Sequence, residues 1–119
     1  MTFLAVTIGG AMGAMVRYVI SLKIQGMKGI LLINWGGSFL MGLSLPVVMG
    51  TSLLGVFWLV GFLGAFTTFS TFAVQFVESW MKGERRRAVI YSLLTLSVGF
   101  VLVAAGWWIG SFVSNVAKA

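Results

Sequence analysis

The chain contains no cysteine and no histidine, and its only acidic residues are Glu78 and Glu84. Without cysteine or histidine it cannot form a disulfide, a thiol nucleophile, an imidazole base or a conventional zinc site. Serine and threonine are plentiful, but the chain has no aspartate or histidine that could activate one of them as a nucleophile. We therefore expect that this protein is not an enzyme.

Charge of either sign is also scarce, because 8% of the residues are charged and 60% are hydrophobic, with a mean hydropathy of +1.08. Such a composition is typical of a membrane protein. Four apolar runs, at residues 3–22, 29–49, 53–80 and 88–113, are each long enough for the roughly 20 residues that cross a bilayer. The sequence predicts one all-α domain, residues 1–119, with four transmembrane helices. The first run lacks the basic start of a signal peptide, so we expect it to be retained.

The net charge of +6 could indicate nucleic-acid binding, but the placement of the basic residues indicates membrane topology. Most of them lie in the first and third connections, at residues 23–28 and 81–87, whereas Lys118 lies alone on the other side. The positive-inside rule then predicts that both connections are cytoplasmic and both termini are outside, in the cytoplasmic membrane. A lipid-binding or partner-binding patch is the alternative interpretation of the basic cluster.

Polar side chains within apolar runs are costly unless they find a partner or a watery path. Arg17 lies near the end of the first run, where it either snorkels to the interface or attracts anions. Asn34 and Ser38 are one turn apart in the second run and share a helix face. Hydrogen bonding between helices would explain that pair as well as a functional site would.

The third run is longer than one span requires, and its centre, "GFLGAFTTFSTF" at residues 61–72, is rich in weak helix formers. The sequence therefore predicts a break near the centre of this helix, and such breaks recur at ion sites. The fourth run carries Tyr91, Thr95 and Gly99 at four-residue steps, although plain packing explains this stripe equally well. Because no acid lies at membrane depth, the donors and positive ring edges favour an anion as the ligand.

Three motifs carry a resemblance to a known family: "GGAMGAMVRY" and "INWGGSFLMG" in the first two runs, and "GFLGAFTTFSTF" in the third. Through them the chain resembles the Fluc (CrcB) family of fluoride channels over essentially its full length. The resemblance implies an antiparallel dimer of four-helix subunits with two fluoride pores at the interface. It also implies passive export of fluoride, a broken third helix and a structural Na⁺.

Taken position by position, the resemblance implies that Asn34 donates its amide to fluoride and that Phe69 and Phe72 direct their ring edges at it. The backbone carbonyls of Gly64 and Thr67 correspond to the Na⁺ ligands. Further candidate positions are Arg17 in the vestibule and Ser38, Ser70, Thr71, Tyr91 and Thr95 along the pore. Two residues depart from the family pattern: Trp35 is bulky beside Asn34, and Gln75 stands where we expect an acid in many relatives.

The charge bias also predicts the partner of this chain. A subunit that inserts in both orientations should have balanced loops, so the bias favours a homologous second subunit of opposite bias, with a homodimer as the alternative. Two other functions remain as alternatives. A small proton-coupled multidrug exporter would require an acid in the first helix. A non-transporting membrane scaffold would use small-residue spacings such as Gly9 to Gly13.

Overall fold

The computed structural model describes residues 1–48 and 52–118, and within these ranges the chain contains helices and no strand. The elements in chain order are α1 (Thr2–Lys23), α2 (Met27–Ser44), α3 (Leu53–Gly55), a π-helix (Val56–Leu63), α4 (Gly64–Phe66), α5 (Phe69–Met81) and α6 (Arg85–Lys118). The stretch Leu53–Met81 forms one interrupted rod, which we call the third span.

Three elements are long and apolar enough to cross a membrane: α1, the third span and α6. Large apolar side chains such as Phe3, Val60 and Phe100 point outward from the bundle. Since water would penalise such a surface and lipid would not, the chain is an integral membrane protein.

The second predicted span differs from the apolar run at residues 29–49. α2 begins at Met27 and ends at Ser44, and the chain then turns, with the Val47 and Val48 amides both donating to the Ser44 carbonyl. Pro46 explains the early end, because a proline has no N–H with which to continue a helix. The predicted end at Met49 lies outside the described residues. α2 is not among the elements long and apolar enough to span, since its polar residues lower its mean hydropathy.

The elements pack as two sets that meet at the centre of the third span. α1 lies against the π-helix and α4, whereas α2 lies along α6 and α5 also packs on α6. Ile30 and Ile33 of α2 are buried against Phe66, with Phe62 and Phe72 partly buried around them. This small apolar cluster fixes the depth of α2 relative to the middle of the third span.

The contact between α1 and the π-helix is a backbone contact. A Cβ added at Gly9 would overlap the carbonyl of Phe57, and one added at Gly13 would overlap the carbonyl of Phe62. The two glycines are about one α turn apart, and the two carbonyls are five residues apart, which is the hydrogen-bond spacing of a π-helix. Successive turns of the π-helix therefore place one carbonyl against Gly9 and the next against Gly13.

We expect Gly13→Ala to destabilise the protein, because its methyl group would push α1 away from the Phe62 carbonyl. The cost of such overpacking is about 1–3 kcal/mol, which thermal unfolding of the detergent-purified protein would register as a lower midpoint. Gly10→Ala is the matched control, since its Cβ would lie 3.9 Å from the nearest atom, the carbonyl oxygen of Gly61. Equal midpoints for the two variants would contradict the assigned contact.

Candidate functional site

The third span is interrupted at Thr67 and Thr68, within the segment where the sequence predicts a break. Both residues are extended, with φ and ψ of −78° and 154° at Thr67 and −145° and 119° at Thr68. The Thr68 hydroxyl accepts a hydrogen bond of 3.3 Å from the Thr71 amide and so caps the N-terminus of α5. β-Branched residues suit extended backbone, and threonine also supplies the capping oxygen.

Asn34 of α2 holds the peptide groups at this break. Its Oδ1 accepts a 2.9 Å hydrogen bond from the Thr68 amide, and its Nδ2 donates at 3.1 Å to the Thr68 carbonyl. The amide orientation is fixed, because only this arrangement matches each donor with an acceptor. We call this pair of bonds the Asn34 clamp. It engages one of the two Nδ2 hydrogens and leaves the other for a further acceptor.

The break also changes the surroundings of two carbonyl groups. In a continuous α-helix the Thr68 amide would donate to Gly64 and the Thr71 amide to Thr67. Here those amides donate to the Asn34 side chain and to the Thr68 hydroxyl. The carbonyls of Gly64 and Thr67 thus lose their helical donors, and lone pairs so released suit a hard cation such as Na⁺.

An open cavity of about 430 Å³ lies beside the break, between α2, α5 and α6. Its polar lining comes from Asn34 and Ser38 on α2, from Thr67 and Thr68 at the break, and from Thr95 on α6. Its apolar lining includes Met41, Phe69, Phe72, Leu96, Phe100 and Val103. Phe69 and Phe100 are 78% and 74% exposed, so one side of the cavity has no wall within the described part of this chain.

The aromatic rings at the start of α5 form a tilted series. The centroids of Phe69 and Phe72 are 5.9 Å apart at 42°, and those of Phe72 and Tyr91 are 5.1 Å apart at 45°. Both phenylalanines line the cavity. Rings at such angles present positive edges, which attract negative charge, and a rigid ring cannot fold inward to follow a larger ligand.

Most hydroxyl groups near the cavity already use their single hydrogen in a hydrogen bond within the protein. The Thr67 hydroxyl donates at 3.0 Å to the Leu63 carbonyl, and the Thr95 hydroxyl donates at 2.7 Å to the Tyr91 carbonyl. The Thr68 hydroxyl donates at 3.2 Å to Thr71 Oγ1. These three side chains can therefore offer an anion their apolar or oxygen surface but no O–H, so Ser38 and the second Asn34 hydrogen are the better donors in the lining.

Tyr91 and Gln75 form a further pair, behind Phe72. The Tyr91 hydroxyl, on a residue that is 3% exposed, donates at 2.7 Å to Gln75 Oε1. This bond occupies the carbonyl oxygen of Gln75 and directs its amide hydrogens elsewhere. Tyr91 thus lies near the candidate site without lining the cavity, and Gln75 presents a neutral donor where the family pattern leads us to expect an acid.

The remaining candidate residues are not part of the cavity lining. Ser70 and Thr71 lie in the first turn of α5 close to the Thr68 hydroxyl, and Arg17 is half-buried on α1. Gly64 is exposed in α4. Trp35 turns away from the cavity, because its Nε1 donates at 3.2 Å to the Leu94 carbonyl of α6, so its bulk tethers two helices and leaves the space beside Asn34 open.

Sequence reasoning missed two residues that build this site, Gly37 and Thr68. A Cβ at Gly37 would overlap the methyl group of Thr67, so the glycine lets the break approach α2. Thr68 is 5% exposed and supplies both the clamped peptide and the cap of α5. The spacing of Asn34 and Gly37, which places a polar and a small residue on one face, was the available sequence signal.

The sequence is similar to a known family over most of its length. Residues 4–107 match the model of the family described as CrcB-like protein, Camphor Resistance (CrcB). A protein of Saccharophagus degradans named fluoride-specific ion channel FluC is 38% identical over 113 aligned positions, which cover 86% of this chain and 85% of the relative. Proteins of the same name from Hydrogenobaculum sp. and Thermus thermophilus are 37% and 35% identical, covering 92% and 91% of this chain and 98% and 92% of the relatives.

We expect Asn34→Leu to destabilise the protein, because it leaves the Thr68 amide and carbonyl without partners. The loss should be about 1–3 kcal/mol, measured as a lower unfolding midpoint in detergent. Ser38→Ala is the matched control one turn away, since Ser38 makes no hydrogen bond within residues 1–48 and 52–118, and its midpoint should stay near that of the parent protein. A stable Asn34→Leu protein would contradict the clamp.

Proposed function

Because the chain belongs to the CrcB family, we propose that it is a subunit of a fluoride-selective channel that passively exports F⁻ and lowers cytoplasmic fluoride. The observation that carries this proposal is the cavity beside the helix break. Its lining combines Asn34, Ser38 and three phenyl rings and includes neither of the two acidic residues of the chain. Such a lining favours an anion over a cation. A channel of this kind performs no enzymatic chemistry.

Selectivity follows from the size and hydration of fluoride. The ion is small and holds water tightly, so a pore must replace its hydration shell with closely placed donors. We assign this role to the free hydrogen of Asn34, the hydroxyl of Ser38 and the edges of Phe69 and Phe72. Because the clamp and the α5 cap hold these groups in place, the aperture resists widening around chloride. The amide hydrogens of Gln75 extend the path beyond Phe72, oriented by Tyr91.

The structural ion that the family resemblance implies has suitable ligands at the break. We propose that Na⁺ binds the carbonyl oxygens of Gly64 and Thr67, whose helical donors are engaged elsewhere. The exposure of Gly64 supports access by an ion or by a second subunit. Bound there, Na⁺ would supply positive charge and satisfy oxygens that hydrocarbon cannot solvate.

We further propose that α2 also crosses the membrane, which makes four spans in all, and that two subunits assemble antiparallel. The open side of the cavity supports the second part, since the exposed rings of Phe69 and Phe100 offer an apolar face to a partner. Closure by a second chain would complete each pore wall. A half-buried Arg17 would then draw anions toward a pore entrance.

Orientation in the cytoplasmic membrane follows from charge. We propose that the connections at residues 23–28 and 81–87 are cytoplasmic and that both termini are outside. Since the excess of basic residues favours one orientation, the preferred partner is a homologous subunit of opposite bias, with a homodimer as the alternative. The multidrug-exporter alternative lacks an acid on α1, and the scaffold alternative gives no role to the polar cavity lining.

Fluoride efflux from proteoliposomes, followed with a fluoride electrode in the presence of chloride, tests the proposed activity. We expect Phe72→Leu to lower the initial rate at least about tenfold, corresponding to ~1.4 kcal/mol, because leucine has no positive ring edge. Phe112→Leu is the control, since Phe112 lies exposed on α6 and away from the cavity lining. Equal leakage of chloride from the parent protein would refute the function itself.

The absence of cysteine provides a direct test of orientation. We expect Thr2→Cys to react with a membrane-impermeant maleimide in intact cells, because the positive-inside rule places the N-terminus outside. Gln25→Cys, in the first connection, should react only after the membrane is permeabilised. Labelling of both variants from both sides would indicate dual insertion and remove the reason for a second gene product. In that case, robust efflux from this chain reconstituted alone is also expected.

A further inference from the structure

A second surface of interest lies at the end of α5, away from the cavity. A groove of about 190 Å³ is lined by Phe76, Val77, Trp80 and Met81, and we call it the α5 groove. The rings of Phe76 and Trp80 stack with centroids 5.9 Å apart and form one flat wall. Met81 is 80% exposed and Val77 is 53% exposed, so the groove is open and apolar.

Basic side chains stand directly at the end of this groove. The guanidinium carbon of Arg85 lies 4.9 Å above the Trp80 ring, so the groove wall and the basic cluster share a contact. Lys82 and Arg86 flank Arg85 along the chain and are exposed. The cation over the ring places positive charge at one end of the apolar α5 groove.

The positive charge at this end is only partly offset. Glu84 pairs with Arg87 at 3.2 Å, and both side chains are largely exposed. Among the described residues this is the one ion pair, and the first turn of α6 contains no acidic residue. With exposed Glu78 of α5 counted against them, Lys82, Arg85 and Arg86 still leave an excess of positive charge that an anionic group would complement.

The turn between α5 and α6 fixes the backbone that carries these residues. Gly83 has a φ of 85°, which lets the chain reverse tightly, and its amide donates at 3.1 Å to the Trp80 carbonyl. Ser79 is 5% exposed and bonds across the turn, donating from Oγ to the Glu84 carbonyl at 3.2 Å and accepting at its own carbonyl from the Glu84 amide at 3.0 Å. The basic residues are thus organised beside the groove before any ligand arrives.

We propose that the α5 groove and the adjoining basic residues bind one anionic phospholipid. An acyl chain lies along Phe76, Trp80 and Met81, and the phosphate lies among Lys82, Arg85 and Arg86. Charge complementarity selects this occupant, because a zwitterionic lipid would leave the excess positive charge unbalanced and a soluble anion would leave the apolar groove uncovered. The site is independent of the cavity and of the activity proposed for it.

Native mass spectrometry of the detergent-purified full chain tests this site. Phosphatidylglycerol and phosphatidylcholine with identical acyl chains are added in competition, and the bound lipid is read from the mass of each oligomeric state. We expect the parent protein to retain phosphatidylglycerol preferentially, and Arg85→Gln/Arg86→Gln to lower its retention by at least about tenfold. Lys23→Gln/Lys28→Gln removes the same charge from the other basic connection and should retain the preference.

A second variant tests the apolar half of the site. Trp80→Ala/Met81→Ala should lower the retention of both lipids, because it removes the walls along which an acyl chain packs. Equal retention of the two lipids by the parent protein, or an unchanged Arg85→Gln/Arg86→Gln protein, would overturn the proposal. Displacement of the bound lipid by glycerol phosphate alone would also overturn it, because it would indicate a site for the headgroup only. So would lipid that is bound to monomers and absent from dimers, which would assign the groove to a second copy of the chain.

Discussion

Peptide groups freed by a break in a membrane helix need partners within the protein, because hydrocarbon offers none. In this chain two side chains meet much of that need: both polar atoms of Asn34 bond to the peptide groups of Thr68, and the Thr68 hydroxyl accepts from the Thr71 amide. The consequences spread outward from these contacts. α5 starts directly after the clamped residue, so the directions of Phe69 and Phe72 depend on the clamp. The Gly64 carbonyl loses its helical donor to the clamp, and the Thr67 carbonyl loses its donor to the Thr68 hydroxyl. The polar cavity and the candidate cation ligands are thus two results of one interruption.

The two halves of the third span have different supports. The half before the break is held by backbone contact with the glycines of α1, whereas α5 is held by side chains of α6. Trp58 joins the first half to α2 through a 2.7 Å hydrogen bond from its Nε1 to the Ser44 hydroxyl. Stacked rings then run from Trp58 through Phe62 to Phe66 and reach the apolar cluster under the break. The two halves therefore meet where α2 and the apolar cluster support the break.

Composition and periodicity predicted the helical membrane fold and the position of the break, because apolar length and weak helix formers act locally. The π-helix was not predictable, since no residue type marks it and its spacing depends on the fit to Gly9 and Gly13. The Asn34 clamp escaped prediction because it depends on the register of α2 against the third span. The same holds for Thr95 and Tyr91, whose polarity was evident in the sequence while the destination of each hydroxyl proton was not.

The clamp also limits which residues could ever occupy position 34. Asparagine is the one side chain of its length that carries both an amide donor and a carbonyl acceptor. An ionised aspartate would face the Thr68 carbonyl with a negative oxygen, leucine would offer neither group, and glutamine would carry its amide one methylene too far. Among the twenty standard amino acids, only asparagine can therefore make both hydrogen bonds at this position. As long as the break persists, substitution at position 34 costs at least one of them.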